Sequence, residues 1–207
     1  MGDEAYFVGP PERPGPGVLF LPSWWGLTSA VKARADGLAD AGATVLVPDL
    51  NFGARPESEE AAEAALGAAD PNRLASMVLS SADLLAGKSA GERLAVVGVG
   101  MGGSLGLWLS VRRPDLVDRV VSLYGSQSID FAGADAAYQL HFADTDRFIS
   151  ADDRAFLEAT MRMEDLAVDV VVHPGTRHGF ADPEGPTHDP EAASAAWDAV
   201  SVFVDRD

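Results

Sequence analysis

The stretch Leu94-Ala95-Val96-Val97-Gly98-Val99-Gly100-Met101-Gly102-Gly103-Ser104 decides how this chain is read. Its first four residues are apolar, as a strand buried on both faces requires. A tight, glycine-rich turn follows, and Met101–Val111 then carries a helical pattern. Two chemistries use such a strand–turn–helix. In a nucleophile elbow, small flanking residues let the backbone bend sharply and lift one central side chain above the sheet. On that pattern Gly98 and Gly102 are the flanking residues, and Gly100 stands at the nucleophile position. The same letters also satisfy G-x-G-x-x-G at Gly98, Gly100 and Gly103, a dinucleotide-binding fingerprint. That reading needs an early βαβ unit and an acidic residue at the end of the next strand, to hold a ribose. Here at least two strands precede the turn, and the next strand ends in Leu123-Tyr124-Gly125-Ser126, without an acid. The elbow is the better reading.

Working outward, strands and helices alternate along the chain. Apolar or β-branched runs at Val18–Leu21, Thr44–Val47, Arg93–Val97, Arg119–Tyr124, Ala137–Ala143 and Val168–His173 read as strands. Helical patterns occupy Ser29–Ala41, Asn72–Ala86, Met101–Val111, Asp152–Met163 and Glu191–Val204. Between Asn51 and Pro71 the chain is polar and small, with a short helix at Glu57–Leu66, and reads as a surface excursion or lid. This alternation predicts an α/β fold, a mostly parallel central sheet with helices on both faces. A length of 207 residues with 47% hydrophobic content fits a single domain spanning 1–207.

Composition narrows the function. With 32 acidic against 15 basic residues the formal charge is −17, which repels phosphate backbones and anionic lipid; neither nucleic acid nor membrane is an expected partner. The absence of cysteine removes disulfides, thiolate metal sites and a cysteine nucleophile. The stretch Met1–Gly17 is acidic and rich in Pro and Gly, unlike a signal peptide, and no apolar run approaches the roughly 18 residues of a membrane span. The expectation is a cytoplasmic monomer or homodimer acting on a small molecule.

Downstream of the elbow, chain order becomes informative, because α/β-hydrolases place nucleophile, acid and histidine in that sequence. Asp146 follows the strand Ala137–Ala143, within His141-Phe142-Ala143-Asp144-Thr145-Asp146-Arg147-Phe148. His178 follows the last strand, within Pro174-Gly175-Thr176-Arg177-His178-Gly179-Phe180. Both sit on loops at strand C-termini, where open α/β sheets place their sites. Asp144 is a near rival, and spacing favours Asp146.

These two segments, the turn Gly98–Gly103 and the early Pro22-Ser23-Trp24-Trp25-Gly26-Leu27 are similar, in order and spacing, to four blocks of the dienelactone hydrolase family, over nearly the whole chain. That family splits esters and lactones with a Cys or Ser nucleophile, a His and an Asp, without a cofactor. The resemblance implies an α/β-hydrolase fold, His178 as base and Asp146 as its orienting acid. It implies the backbone N–H groups of Met101 and Trp24 as the oxyanion hole. The family's founding members carry a glutamate where Ser23 stands, which argues against dienelactone itself as substrate. Gly100 is the main departure: it removes the attacking atom and relieves the backbone strain of an elbow.

Ser23, Trp25, Tyr124, Phe148 and Phe180 lie at or near strand C-termini and are candidate walls of a small pocket. Arg55, Arg73 and Arg147 are candidates to bind a substrate carboxylate, though surface ion pairing is the ordinary role of an arginine. His141, His173 and His188 match no zinc-ligand spacing, so no metal is expected. Three readings of function stay open: a hydrolase of a small ester or lactone; an enzyme without a covalent step, using His178 and Asp146 as a general base in a hydrolase, lyase, cyclase or isomerase reaction; and a catalytically silent binding protein.

Overall fold

The structure, a computed structural model, describes residues 5–205; residues 1–4, which begin the acidic N-terminal stretch, and 206–207 lie outside the described residues. Seven strands form one sheet: β1 (Ala5–Val8), β2 (Pro16–Leu21), β3 (Thr44–Pro48), β4 (Ala90–Val99), β5 (Val117–Leu123), β6 (Ala137–Thr145) and β7 (Val168–Arg177). Their order is β1-β3-β2-β4-β5-β6-β7. Every neighbouring pair is parallel except β1 with β3. Five helices lie between strands, α1 (Ser29–Asp40), α2 (Glu59–Gly67), α3 (Pro71–Ala86), α4 (Met101–Arg112) and α5 (Ala151–Met163), and α6 (Pro190–Val204) follows β7.

Alternation along the strands builds two cores, because successive side chains point to opposite faces. Leu19, Leu21, Leu46, Leu94 and Val96 enter one, packed by Leu74, Val78 and Leu85 of α3, Leu107 of α4 and Leu157 of α5. Val18, Phe20, Val45, Val47, Ala95 and Val97 enter the other, packed by Leu38 of α1 and by Ala196, Trp197 and Val200 of α6. Helix starts follow side-chain chemistry. Asp70 and Asp189 cap α3 and α6 immediately before a proline, and Ser150 with Asp153 forms a capping box on α5.

One strand was not legible in the pattern. β1 is four residues of half-exposed edge, paired only on one side through Ala5 opposite Pro48 to Val8 opposite Val45. A strand so short, all apolar in sequence and followed at once by Gly9-Pro10-Pro11, carries little periodic signal. Among the described residues, no helix is long and apolar enough to cross a membrane.

The chain leaves β2 through α1 to β3 on one side, then crosses to β4 on the other. This order reverses beside β2, and the loops after β2 and β4 therefore splay apart at their C-terminal ends, the usual place for a ligand in such sheets.

His141 on β6 and His173 on β7 form a buried pair. His141 on β6 is fully buried; its Nδ1 lies 2.9 Å from His173 Nε2 and its Nε2 2.9 Å from Gln139 Oε1. Burial, and then the neighbouring His173, lowers the His141 pKa from 6.5 to about 4. In the unfolded chain the same imidazole protonates near 6.5, so the unfolded state binds the extra proton as the pH falls. This contribution to stability is complete above pH 6.5 and is lost by about pH 4. Its size is on the order of 3 kcal/mol. Urea unfolding of the wild type and of His141→Gln at pH 7, 5 and 4 should show a steeper acid loss in the wild type. Parallel losses in the two proteins would refute this assignment.

Candidate active site

β4 ends in the turn read above as an elbow. Gly100 has φ +54° and ψ −115°, a backbone that side chains rarely adopt, and it immediately precedes α4. Its amide donates to Leu123 O at 2.8 Å, which ties the turn to β5. The neighbouring glycines are required by contact. A Cβ on Gly98 would lie 2.3 Å from Gly102 O, one on Gly102 would lie 2.0 Å from Leu21 O, and one on Gly103 would lie 2.5 Å from Ser122 Oγ. Gly100 differs: a Cβ there would meet Ser23 Cβ and Tyr124 Cε2 at 3.7 Å, ordinary van der Waals contact. Strand and helix are thus pressed together on either side of Gly100, while space remains above it.

That space belongs to a cavity of about 270 Å³ lined by residues including Ser23, Trp24, Leu66, Gly100, Met101, Tyr124, Phe148, His178 and Asp182. His178, on the loop after β7, is bound through Nδ1 to Asp146 Oδ2 at 2.8 Å, with 18% of its side chain exposed against 1% for Asp146. The second Asp146 oxygen accepts the Phe148 amide at 2.8 Å and the Ile149 amide at 3.1 Å. Burial works to raise the Asp146 carboxyl, but the hydrogen bond and charge of His178, helped by those two amides, hold it below the usual range. The ionised carboxylate fixes the proton on Nδ1 and leaves Nε2 as the basic nitrogen. Asp144, the rival acid, instead accepts the Gly175 amide at 3.1 Å.

Three aromatic rings set the imidazole in place: Phe148 and Tyr124 with centroids 4.7 and 4.9 Å away, and Trp24 at 6.4 Å. The Trp24 carbonyl accepts Asn51 Nδ2 at 2.5 Å, so the excursion after β3 helps to fix the loop after β2. That excursion also sends Leu66 of α2 into the cavity wall. Met101 opens α4, where amides lack intrahelical acceptors. Among the described residues, neither the Met101 nor the Trp24 amide donates to a backbone acceptor outside regular secondary structure.

Two expected pocket residues are elsewhere. Trp25 is 5% exposed and lies outside the cavity lining, its ring edge-on to that of Trp24 at a centroid distance of 6.2 Å. Phe180 is fully buried in the core shared with α1 and α6, and its ring supports Tyr124 from a centroid distance of 5.3 Å. The three arginines are also engaged: Arg55 pairs with Asp49 at 3.0 Å, Arg73 sits over the Phe52 ring at 3.6 Å, and Arg147 pairs with Glu59 at 3.6 Å.

One lining group was not anticipated. Asp182 is 6% exposed and accepts Ser23 Oγ at 2.8 Å and Tyr124 Oη at 2.9 Å. Burial raises its pKa to about 6 against the lowering effect of those two hydroxyls. In sequence it is one acid among 32, and only its position four residues after His178 hinted at it.

Known proteins resemble this chain in sequence and in fold. The curated protein usf of Aquifex pyrophilus is 26% identical over 209 residues, covering 95% of this chain and 90% of its own. The dienelactone hydrolase of Anabaena variabilis superposes with a TM-score of 0.66 at 19% identity, over 96% of this chain and 89% of that one. A dienelactone hydrolase-like promiscuous phosphotriesterase from metagenomic libraries gives 0.77 at 21% identity, over 93% and 87%. The sequence pattern of one family, described as the dienelactone hydrolase family, matches residues 4–206. A match over nearly the full length, on a fold with the same architecture, places this chain in the dienelactone hydrolase family.

Proposed function

We propose that the protein hydrolyses a small uncharged carboxylic ester or lactone, with water in the space above Gly100 taking the part of the missing side-chain nucleophile. The observation that carries this reading is His178, held by Asp146 at 2.8 Å, in the wall of the cavity that also holds Gly100 and Met101. A base kept in one tautomer and oriented by a buried carboxylate is a costly arrangement for a histidine that only fills space.

In the reaction, His178 Nε2 takes a proton from water as the water oxygen bonds to the carbonyl carbon. The carbonyl oxygen becomes an oxyanion held by the Met101 and Trp24 amides, the first of them at the positive end of α4. The tetrahedral species collapses as the C–O bond to the leaving group breaks, and the proton on Nε2 passes to the departing oxygen. An ester gives acid and alcohol; a lactone gives a hydroxy acid.

His178→Ala is the decisive variant, since positioned general bases contribute about 10²- to 10⁴-fold. Turnover of p-nitrophenyl acetate by the wild type should fall by a factor in that range, with folding unchanged by circular dichroism. Equal turnover in variant and wild type would make this a binding protein.

A further inference from the structure

The cavity lining contains a buried acid and, among the described residues, no lysine or arginine. Asp182 stands directly behind the space at Gly100. The two hydroxyl-bearing side chains that hold it, Ser23 and Tyr124, are the same two that a Cβ on Gly100 would touch, both at 3.7 Å. Asp146 adds a second carboxylate beyond His178. Arg55 is paired with Asp49, and Arg147 lies over the Phe148 ring at 4.5 Å, outside the lining and with Glu59 as its carboxylate partner. The remaining walls are mostly apolar: the rings of Trp24, Tyr124 and Phe148 and the side chains of Leu66, Met101 and Ile149, with the neutral Ser104 and Ser126 as further polar members. A carboxylate entering here would lose its water without gaining a cation, beside a fixed negative charge in surroundings of low polarity. An uncharged ester or lactone meets no such penalty.

We propose that Asp182, clamped by Ser23 and Tyr124 behind the space at Gly100, selects uncharged substrates and rejects those bearing a carboxylate. This rests on the hydrolytic reading of the same site, but its test needs no turnover. Phenylacetamide and phenylacetate have nearly the same shape and differ in charge. In calorimetric titrations at pH 8, the wild type should bind phenylacetamide at least about tenfold more tightly than phenylacetate. In Asp182→Asn, which keeps a hydrogen-bonding group between Ser23 and Tyr124, the gap should close to about twofold while phenylacetamide affinity is retained. Asp182→Ser, a smaller neutral replacement, serves the same purpose if the amide variant folds poorly.

Tighter or equal binding of phenylacetate by the wild type would overturn the proposal. So would a gap that survives in both neutral variants, or a failure of phenylacetamide to bind. A gap that behaves as stated, together with unchanged turnover in His178→Ala, would leave Asp182 as a charge filter in a protein that is not a hydrolase.

Discussion

Gly100→Ser is expected to raise turnover of p-nitrophenyl acetate by at least about 10³-fold, and to make the protein react with a fluorophosphonate at residue 100. The size follows from what is already in place. Loss of a nucleophile from a complete triad costs up to about 10⁶-fold in turnover, while the remaining oxyanion hole and binding groups retain their own contribution. Here the imidazole is bonded to Asp146 at 2.8 Å, and a Cβ at residue 100 meets its nearest neighbours at 3.7 Å. The new hydroxyl enters a prepared space. The same substitution should lower stability by about 1–3 kcal/mol, because φ +54° suits glycine and strains other residues. Gain of activity with loss of stability is the signature of an elbow. Gly100→Cys should behave similarly with esters, and His178→Ala should cancel either gain. A folded Gly100→Ser protein with neither labelling nor added turnover would show that the imidazole does not reach residue 100.

The second large effect concerns folding. Gly102→Ala should destabilise the protein by more than about 3 kcal/mol, since the added methyl cannot be accommodated by rotating a side chain. Its carbon would lie 2.0 Å from Leu21 O and 2.7 Å from Pro22 O, both backbone atoms at the end of β2. Relief requires α4 to withdraw from the sheet, and with it Met101. Gly37→Ala is the matched control: it lies inside α1 with nothing within 4 Å of its added carbon. It should stabilise by about 0.5–1 kcal/mol. Denaturant unfolding of both variants reads the difference, and a mild effect at Gly102 would mean that strand and helix are not in close contact.

These predictions draw on features of unequal visibility in the sequence. The six long strands were legible because apolar runs such as Val18–Leu21 and Leu94–Val97 bury both faces and end at proline or glycine. The elbow was legible because glycines at Gly98, Gly102 and Gly103 record contacts that allow no Cβ. Chain order exposed Asp146 and His178. What stayed hidden depended on which way a side chain turns, or on partners distant along the chain. Trp24 and Trp25 are adjacent, yet one lines the cavity and the other is buried outside it. Phe180 reads as a pocket wall by its place near a strand C-terminus, but it supports the ring that forms the wall. Asp182 becomes exceptional only through Ser23 and Tyr124, which lie 159 and 58 residues away. No local pattern encodes that meeting.

The two oxygens of Asp146 carry an evolutionary implication. One aims His178, and the other gathers the Phe148 and Ile149 amides that shape one side of the cavity. A single carboxylate therefore binds the machinery and one wall into a unit that cannot diverge separately. Replacements that reshape the Phe148 loop will disturb the imidazole first and be purged before any altered preference is exposed to selection. The part of the wall that Leu66 supplies meets this loop through an exposed ion pair, Glu59 with Arg147, rather than through Asp146. Leu66 sits at the end of α2, attached to the site through an excursion rather than through the base. Descendants with new substrate ranges are expected to differ there, along 59–67, while the loop after β6 stays as it is.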